Sequence, residues 1–430
     1  MDDSSLQILC TGDVHLGRRP SRVPVDDDTL SVRHVWDRFV ETALDRAVDV
    51  VVLTGDVVDS ENQMYEAYGA LERGIRRLVD GDVEVVAVAG NHDHEAFPRL
   101  MRSIDADGVH LLGPGGTWDE VRVDGRNGPS VRFVGWSFPQ ATHVASPLES
   151  LSLSEAEIPT LGVLHCETGG SEGPYAPVQR SALARTPVTA WLLGHVHAPN
   201  AHREAGQLQL YPGSLQPLDP GEPGLHGAWV VEVAGDAVTA ESLPLASLRY
   251  DEASVDVSAL ETPEDVEDAV IRTVRDGIAD ASDRGPHLTH VAYRIVIEGR
   301  TDRHREIRAT VDEMVSSLRP EFDQVTGSIE AVDLQTRPDH DLEALARSDD
   351  PAGVLARLLV RLEEESVDPD RVHPLLRRAS KAVRQVHDSS RYEPLRRDSE
   401  TRDPPDREAL QSLLYRQGLL LLDALHDRRD

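Results

Sequence analysis

Short apolar runs alternate with amphipathic stretches through about the first 245 residues of the chain. Five of these runs are rich in β-branched residues and almost wholly apolar, as expected for strands buried on both faces. They lie at residues 6–10, 48–53, 83–89, 161–164 and 190–193. The stretches after the first two runs repeat apolar residues with a period near 3.6, which predicts helices. Alternating strands and helices predict crossover units on a sheet.

Two later segments change this prediction from a parallel sheet to a mixed one. Residues 117–134 and 208–243 alternate apolar and polar positions between Gly-rich turns, a pattern typical of antiparallel strands. The first domain, residues 1–247, is therefore predicted to be a mixed α/β sandwich flanked by helices.

The pattern changes again after residue 245. A helix is expected to begin at Pro263, with Thr262 as its cap. Strands are predicted at 254–257, around 291–297 and at 327–334, with helices at 263–281 and 303–318. Residues 250–338 thus form a small α+β domain, and residues 339–430 form a charged helical tail interrupted by prolines.

Composition limits the class of protein. The chain of 430 residues has 44 basic and 76 acidic residues, a net charge of −32 that excludes a broadly basic DNA-coating protein. Lys381 is the only lysine, so arginine supplies nearly all of the positive charge. Two interpretations stay open. One is a GC-rich genome, and the other is a salt-adapted cytoplasm in which salt screens the repulsion of an anionic surface.

Cysteines and hydropathy point to a cytoplasmic protein. Two cysteines, Cys10 and Cys166, cannot build a disulfide framework in a chain of this length. The chain begins with acidic and polar residues, and no apolar run approaches the roughly 18 residues that span a bilayer. We therefore expect no membrane segment.

Each of the five buried runs ends in small residues followed by an acid, an asparagine or a histidine. The ends lie at residues 11–15, 54–59, 89–93, 164–167 and 193–197. Loops converge at strand ends in α/β sheets, and glycine allows close backbone approach there. Carboxylate, amide and imidazole groups together suit Mn, Fe or Zn. A polar strand end explains any one histidine, but not five such ends in register at one sheet edge.

These motifs resemble the calcineurin-like metallophosphoesterase superfamily. Its pattern of D-x-H, G-D-x-x-D, G-N-H-D, a lone His and G-H-x-H occurs in order over residues 13–197. The D-x-H-L-G at residues 13–17 and the Y-P-G-S at 211–214 resemble SbcD-type DNA repair nucleases. The small domain lies where those nucleases carry a DNA-capping domain, and the T-R-P at 336–338 and the tail are most similar to YhaO-type members.

The resemblance implies a centre of two divalent metal ions, with Mn²⁺ expected. The ligands of one ion would be Asp13, His15, Asp56 and His197. The ligands of the other would be Asp56, Asn91, His165 and His195. Asp56 would bridge ions about 3.5–4 Å apart, and His92 would stabilise the transition state or protonate the leaving oxygen. The spacing of residues 195 and 197 supports this independently, because alternate residues leaving a strand point the same way.

Neighbouring residues have two interpretations each. Asp59 and Asp93 either orient a ligand imidazole or cap the following segment. Arg18 and Arg19 either touch DNA phosphates or form a solvated pair on a loop. Cys166 is expected to be a buried small residue that points away from the metals.

The resemblance therefore implies a manganese-dependent DNA exo- and endonuclease of double-strand-break repair. The alternative is a phosphodiesterase or phosphatase that uses the same metals on small esters. The resemblance also implies a homodimer and an SMC-like ATPase partner of the SbcC or YhaN type. Residues 371–402 carry nine basic and four acidic side chains. One interpretation is that this segment contacts DNA or the ATPase and that a stripe of leucines docks a partner helix. The other is that the segment is a solvated basic face and that the leucine stripe packs on the core of its own chain. The stripe consists of Leu410, Leu413, Leu414, Leu421 and Leu425.

Overall fold

The computed structural model has two compact units. It describes residues 5–23, 28–59, 64–104, 106–126, 128–154, 157–170, 172–301, 303, 306–307, 321–322, 324–364, 374–387 and 407–426. One unit comprises residues 1–255, 264–296 and 310–333, and the other comprises 256–263, 297–309 and 334–430. The first unit thus contains much of the predicted small domain. The domain boundaries drawn from the sequence stay a prediction.

The elements are numbered in chain order. The strands are β1 (Leu6–Thr11), β2 (Val50–Leu53), β3 (Glu84–Ala87), β4 (Val109–Leu111), β5 (Trp118–Asp124), β6 (Ser130–Trp136), β7 (Thr160–His165), β8 (Ala190–Gly194), β9 (Asn200–Glu204), β10 (Gln207–Tyr211), β11 (Gly227–Ala234), β12 (Ala237–Pro244), β13 (Leu248–Asp256), β14 (His290–Arg300), β15 (Glu321–Phe322) and β16 (Val325–Arg337). The α-helices are α1 (Val32–Asp45), α2 (Met64–Asp80), α3 (Ala96–Ile104), α4 (Arg180–Leu183), α5 (Pro263–Arg284), α6 (Leu342–Leu345), α7 (Pro351–Glu364), α8 (Pro374–His387) and α9 (Arg407–His426). Short 3₁₀ helices lie at Asp28–Leu30 and Pro147–Ser150. Over the described ranges, no helix has both the length and the apolar character needed to cross a membrane.

The first sheet has the order β12-β11-β1-β2-β3-β4. Strands β1 to β4 are parallel to one another, and β11 is antiparallel to both of its neighbours, β1 and β12. Strands β1, β2 and β3 are buried on both faces, so their alternate residues enter two different cores. Val51 and Val85 pack with the apolar faces of α1, α2 and α3. Val52 and Val86 point to the other side, where they pack with the second sheet.

The second sheet has the order β5-β6-β7-β8-β10-β9, with β5 and β9 antiparallel to their neighbours. Phe133, Val163 and Leu192 face the first sheet in the shared core. The predicted mixed α/β sandwich flanked by helices is therefore confirmed. The prediction of five motifs at one sheet edge is wrong, because β1, β2 and β3 belong to the first sheet and β7 and β8 to the second. The motifs still converge, because the two sheets pack face to face.

The third sheet has the order β13-β14-β16-β15. Helix α5 buries Val266, Val270, Val274 and Ile278 at intervals of four residues, as an amphipathic helix should. Strand β13 begins earlier than the predicted 254–257, and the two residues of β15 are too short for a periodic signal. The helix predicted at 303–318 lies almost wholly outside the described residues.

The tail is helical in its described parts, as predicted. Pro351 and Pro374, which the sequence presented as interruptions, are the first residues of α7 and α8, where a missing N–H has no consequence. The leucine stripe on α9 divides between two environments. Leu410 is buried and Leu414 packs against the same core, whereas Leu413 and Leu421 are exposed. Leu425 is half-buried. Helix α8 is the only part of the predicted basic segment 371–402 within the described residues.

Candidate metal centre

The loops that follow β1 and β2 are joined by backbone hydrogen bonds. The N–H of Asp13 donates to the carbonyl of Gly55 at 3.0 Å, and the N–H of His15 donates to that of Asp56 at 2.9 Å. Asp13, His15 and Asp56 have φ angles of 47°, 49° and 50°, and His195 has a φ of 96°. Non-glycine residues adopt this left-handed backbone at a cost of roughly 1–2 kcal/mol each. The surrounding structure therefore holds four predicted ligands in conformations that they would not choose alone.

Two motif glycines are required by close approach. A Cβ on Gly90 would lie 2.2 Å from Oδ1 of Asp56, and one on Gly194 would lie 2.1 Å from the Thr54 carbonyl oxygen. Both distances are too short for any side chain. The glycines thus let the loop after β3 and the end of β8 pack closely against the loop after β2.

A first cluster consists of Asp13, His15 and His197, whose ligand atoms all lie within 4.8 Å of one another. Nε2 of His197 lies 3.3 Å from Nε2 of His15 and 3.8 Å from Oδ1 of Asp13. On its other side, Nδ1 of His197 is 2.9 Å from Oε1 of Glu222. Since a carboxylate only accepts, Nδ1 carries the proton and Nε2 is directed into the cluster.

A second cluster consists of Asp13, Asp56 and His165, all of them buried. Nε2 of His165 lies 3.3 Å from Oδ2 of Asp56 and 3.1 Å from Oδ1 of Asn91. Nδ1 of the same ring donates to the Thr54 carbonyl at 3.0 Å. A backbone carbonyl thus sets the tautomer of His165, as a carboxylate does for His197.

The charges of the centre are strongly coupled. Burial raises the pKa of Asp13 to about 6, although His165 and His197 act against this. Burial also opposes ionisation of Asp56, but the neighbouring His165 outweighs it and holds the pKa of that carboxyl well below its usual value. Burial lowers the pKa of His15 to about 4. For His165 the attraction of Asp56 overcomes burial and raises the pKa to about 9.

The donor set fits divalent cations. Nε2 of His165 faces the oxygens of Asn91 and Asp56, which can only accept, while Nδ1 donates to the Thr54 carbonyl. This point therefore needs positive charge: a proton on Nε2 supplies it in the ion-free site, as the raised pKa of His165 reflects, and a divalent cation would supply it in place of that proton. Nδ1 of His15 is in addition buried without a hydrogen-bond partner. Carboxylate oxygens, an amide oxygen and imidazoles are the ligands that Mn, Fe and Zn accept.

The structure brings the predicted ligands together but distributes them differently. Asp13 belongs to both clusters, whereas the sequence assigned the shared position to Asp56. His195 lies in neither cluster. Its N–H donates to both Asp13 oxygens at 3.1 Å, and its ring centroid lies 5.4 Å from that of His165. The ligand sets and the bridging role of Asp56 stay predictions.

His92 lies at the open side of the centre. Its side chain is exposed, while its N–H donates to Oδ1 of Asp56 at 2.8 Å. Its ring centroid is 5.3 Å from that of His15. The backbone of His92 is thus anchored to Asp56, while its imidazole is accessible to solvent.

Asp93 ties two loops together. It is fully buried, and its carboxylate accepts hydrogen bonds from the N–H groups of Gly90 and Val57, each at 2.7 Å. Burial, followed by repulsion from Asp56, raises the pKa of Asp93 to about 7. Asp93 therefore positions the loops of Asp56 and Asn91 through backbone amides.

The remaining predicted residues lie around the two clusters. Asp59 is buried and its N–H donates to the carbonyl of Leu16 at 3.0 Å, but its predicted role is untested. Arg18 and Arg19 follow His15 on the same loop, outside both clusters. Cys166 is fully buried in an apolar core with residues of β7 and β8, as expected of a buried small residue.

Sequence reasoning missed two residues that contact the ligands. Glu222 accepts from His197 and also from the Ser214 hydroxyl at 2.6 Å. The ring centroid of Tyr175 lies 4.8 Å from that of His195. Both residues lie in irregular loops with no periodic signal. The Y-P-G-S motif that ends at Ser214 was the available pointer to Glu222.

Comparison with known families identifies the first region of the chain. Residues 6–199, which contain all eight residues predicted to hold metal or act in catalysis, match the Calcineurin-like phosphoesterase family. The chain contains a calcineurin-like metallophosphoesterase domain. Residues 250–337 match a second family, described as Metallophosphoesterase YhaO, middle domain. A metallophosphoesterase domain is a hydrolase of phosphoesters that works with divalent metal ions.

Several curated relatives carry the same domain. YhaO of Bacillus subtilis, described as an uncharacterized metallophosphoesterase, is 25% identical over 67% of this chain and 69% of its own length. Two proteins named DNA double-strand break repair protein Mre11 are each 26% identical. The one from Aeropyrum pernix matches over 55% of this chain, and the one from Haloferax volcanii over 57%. The matches span only 60% and 54% of those two relatives.

Solved structures show a more distant similarity. A protein from Thermus thermophilus aligns with 56% of this chain at 11% identity, with a TM-score of 0.34. A dimetal phosphatase from Danio rerio also covers 56% of the chain, at 14% identity and a TM-score of 0.34. Both alignments include 99% of the other chain.

Proposed function

We propose that the chain is a DNA exo- and endonuclease that hydrolyses phosphodiester bonds with two divalent ions, with Mn²⁺ the expected metal. The observation that carries this proposal is the pair of buried carboxylate–histidine clusters that share Asp13. A small-ester hydrolase would need the same clusters. DNA is favoured because the chain also has the region 250–337 and because Mre11 relatives are named as DNA repair proteins.

The residues of the site have separable tasks. Metal ions held between Asp13, Asp56 and the histidines would neutralise phosphate charge and lower the pKa of a water molecule. The Glu222 carboxylate and the Thr54 carbonyl keep His197 and His165 in the tautomers that present Nε2 to the site. Asp93 holds the second and third motif loops in register through their amides.

His92 is assigned to the leaving group. It is exposed, it is not needed to complete either cluster, and its backbone is held by Asp56. An imidazole near neutral pH can give a proton to a leaving sugar oxygen or stabilise charge as it develops there. The exposed ring leaves room for a polymeric substrate to reach it.

The tail is proposed as the contact region for an SMC-like ATPase, in a homodimer that works on DNA breaks in the cytoplasm. Helix α8 carries four basic residues, Arg377, Arg378, Lys381 and Arg384, and no acidic one. On α9, Leu413 and Leu421 are exposed, whereas Leu410, Leu414 and Leu422 on the same helix are packed. Replacing both leucines by glutamine should weaken binding of such an ATPase. Unchanged ATPase binding would contradict the proposed contact.

The function is tested by comparing substrates on the same preparation. Supercoiled DNA, linear DNA and a chromogenic phosphodiester are incubated with the full chain and Mn²⁺. We expect nicking of the first, shortening of the second and hydrolysis of the third, all abolished by a chelator. Hydrolysis of the small diester alone would overturn the nuclease proposal in favour of an esterase that acts on small substrates.

A further inference from the structure

An open cavity of about 600 Å³ lies beside the loop that carries His15. It is bounded by Leu16–Arg19, by the beginning of α1 and by one face of α2. Among the described residues, its charged lining consists of Arg18, Arg19, Arg33, Arg73 and Asp28. Within that described lining, four arginines accompany one acid, whereas in the whole chain acids outnumber basic residues 76 to 44.

Three of these arginines keep their charge available. Among the described residues, Arg18, Arg33 and Arg73 form no ion pair with an acid. Arginine presents a planar fork of N–H donors that matches the oxygens of a phosphate group. The cavity therefore has the charge and the donors for an anion with several phosphate oxygens.

The cavity is also preorganised. Ser31 caps α1 by accepting from the N–H of His34, and the first amides of a helix have no partners within it. Inside α2, Gly69 leaves room for Arg73, whose Nη1 would lie only 3.2 Å from a Cβ at that position. Glycine costs about 1 kcal/mol relative to alanine in a helix, so this space comes at the expense of helix stability.

The loop that lines the cavity is held at both ends. The N–H of Arg18 donates to the His15 carbonyl at 2.9 Å, and the N–H of Ser21 donates to that of Leu218 at 2.8 Å. The hydroxyl of Tyr250, on β13, donates to the carbonyl of Ser21. A loop ordered before binding loses little conformational entropy when the ligand arrives.

We propose that this arginine cavity binds backbone phosphates of the substrate strand, at nucleotides away from the bond that is cut. The proposal rests on the nuclease function proposed above. The cavity starts one residue after His15, so a strand cut at the metal centre would continue past it. Phosphate contacts position a strand and add affinity without reading sequence.

The test uses the full chain with Arg33→Gln, Arg73→Gln and the double variant. Arg46→Gln is the matched control, since Arg46 lies at the opposite end of α1, is exposed and forms no ion pair among the described residues. Binding of a fluorescein-labelled single-stranded oligonucleotide is followed by anisotropy with a chelator present, over a series of KCl concentrations. Inorganic pyrophosphate is titrated in parallel as the small anion.

We expect the double variant to bind the oligonucleotide about tenfold more weakly. Its slope of log affinity against log salt should shrink by about 2, one for each lost phosphate contact. With Mn²⁺, its ratio of kcat/KM for DNA to that for the diester should fall. The control should match the wild type. Asp28→Asn, which removes the acid of the cavity, should tighten oligonucleotide binding a few-fold.

Each other outcome has one meaning. An unchanged affinity and salt slope in a wild type that cuts DNA would overturn the cavity proposal and leave the nuclease proposal intact. Weaker binding of pyrophosphate with unchanged oligonucleotide binding would make the cavity a small-anion site, which also overturns it. A wild type that hydrolyses the diester but not DNA would instead overturn the proposed function.

Discussion

The second cluster, Asp13, Asp56 and His165, forms the His165 side of the metal centre, and the first cluster, Asp13, His15 and His197, forms the His197 side. The two sides hold their histidines by different means. His165 is fully buried, and a backbone carbonyl, that of Thr54, accepts from its Nδ1. The His197 side chain is 27% exposed, and the carboxylate of Glu222 takes the same position. Both arrangements direct Nε2 inward.

The difference shows how exposure changes what is needed to orient a ligand. Inside the sandwich, packing already immobilises the ring, so a neutral carbonyl is enough. At the rim, solvent competes for the ring, and a charged partner gives a stronger hydrogen bond. The pKa of His197 follows the same logic, because attraction by Glu222 and Asp13 overcomes burial and raises it to about 8.

The largest effect is expected at the residue that the two sides share. Asp13→Asn removes a carboxylate from both clusters, so both ions should be lost and diester kcat/KM should fall by at least about 10³-fold.

Asp56→Asn distinguishes the two possible bridging ligands, Asp13 and Asp56. If it empties only the His165 side, as measured by metal content, Asp13 is the shared ligand. If it empties both sides, the bridge predicted from the sequence is correct.

His92 belongs to neither side, which makes it a test of chemistry without metal loss. His92→Ala should retain both ions and still bind DNA, yet slow hydrolysis on the order of 10²–10⁴-fold. If His92 is the proton donor, the loss should be smaller on a diester with an acidic leaving group. Equal losses on both substrates would indicate charge stabilisation instead. An emptied metal site would contradict the separation of roles.

A smaller effect is expected from Glu222, the carboxylate that accepts from Nδ1 of His197. Glu222→Gln should weaken metal affinity on the His197 side by about 10–100-fold and leave the His165 side unchanged. Glu241→Gln, at an exposed acid on β12, is the control and should change neither side. Stepwise metal titration followed by calorimetry resolves the two affinities. Equal weakening on both sides would show that the two histidines are not independently supported.

The smallest effect is expected from a substitution at Gly194, which packs against His165 and Thr54. A Cβ at position 194 meets the Thr54 carbonyl at 2.1 Å and Nδ1 of His165 at 2.7 Å. Gly194→Ala should therefore destabilise the chain by about 1–3 kcal/mol through overpacking. It should also weaken metal binding on the His165 side first. Denaturant unfolding with a chelator measures the first effect, and an unchanged midpoint would show that the loop yields.

Much of the site could be predicted because its residues sit where the hydrophobic pattern stops. The runs before Asp13, Asp56 and His165 are visible as buried strands, and a polar residue at the end of such a run is conspicuous. The division of the motifs between two sheets was not visible. A strand buried on both faces has the same pattern whether helices or another sheet cover it.

The rest of the site depends on long-range contacts that leave no local pattern. Glu222 lies 25 residues from His197 in an irregular loop, and nothing in its neighbours distinguishes it from other acids. Arg33 and Arg73 belong to different helices and line one cavity because α1 packs beside α2. Likewise, the alternating apolar positions of α9 do not reveal that Leu414 is covered and Leu413 is not.

The left-handed backbone of Asp13 and His15 determines which substitution gives the best catalytically inactive variant. Alanine at either position would remove the ligand but keep the Cβ that makes this conformation unfavourable by roughly 1–2 kcal/mol. Glycine would remove both the ligand and the conformational penalty. An inactive variant for testing the proposed nuclease function is therefore better built with Asp13→Gly than with Asp13→Ala.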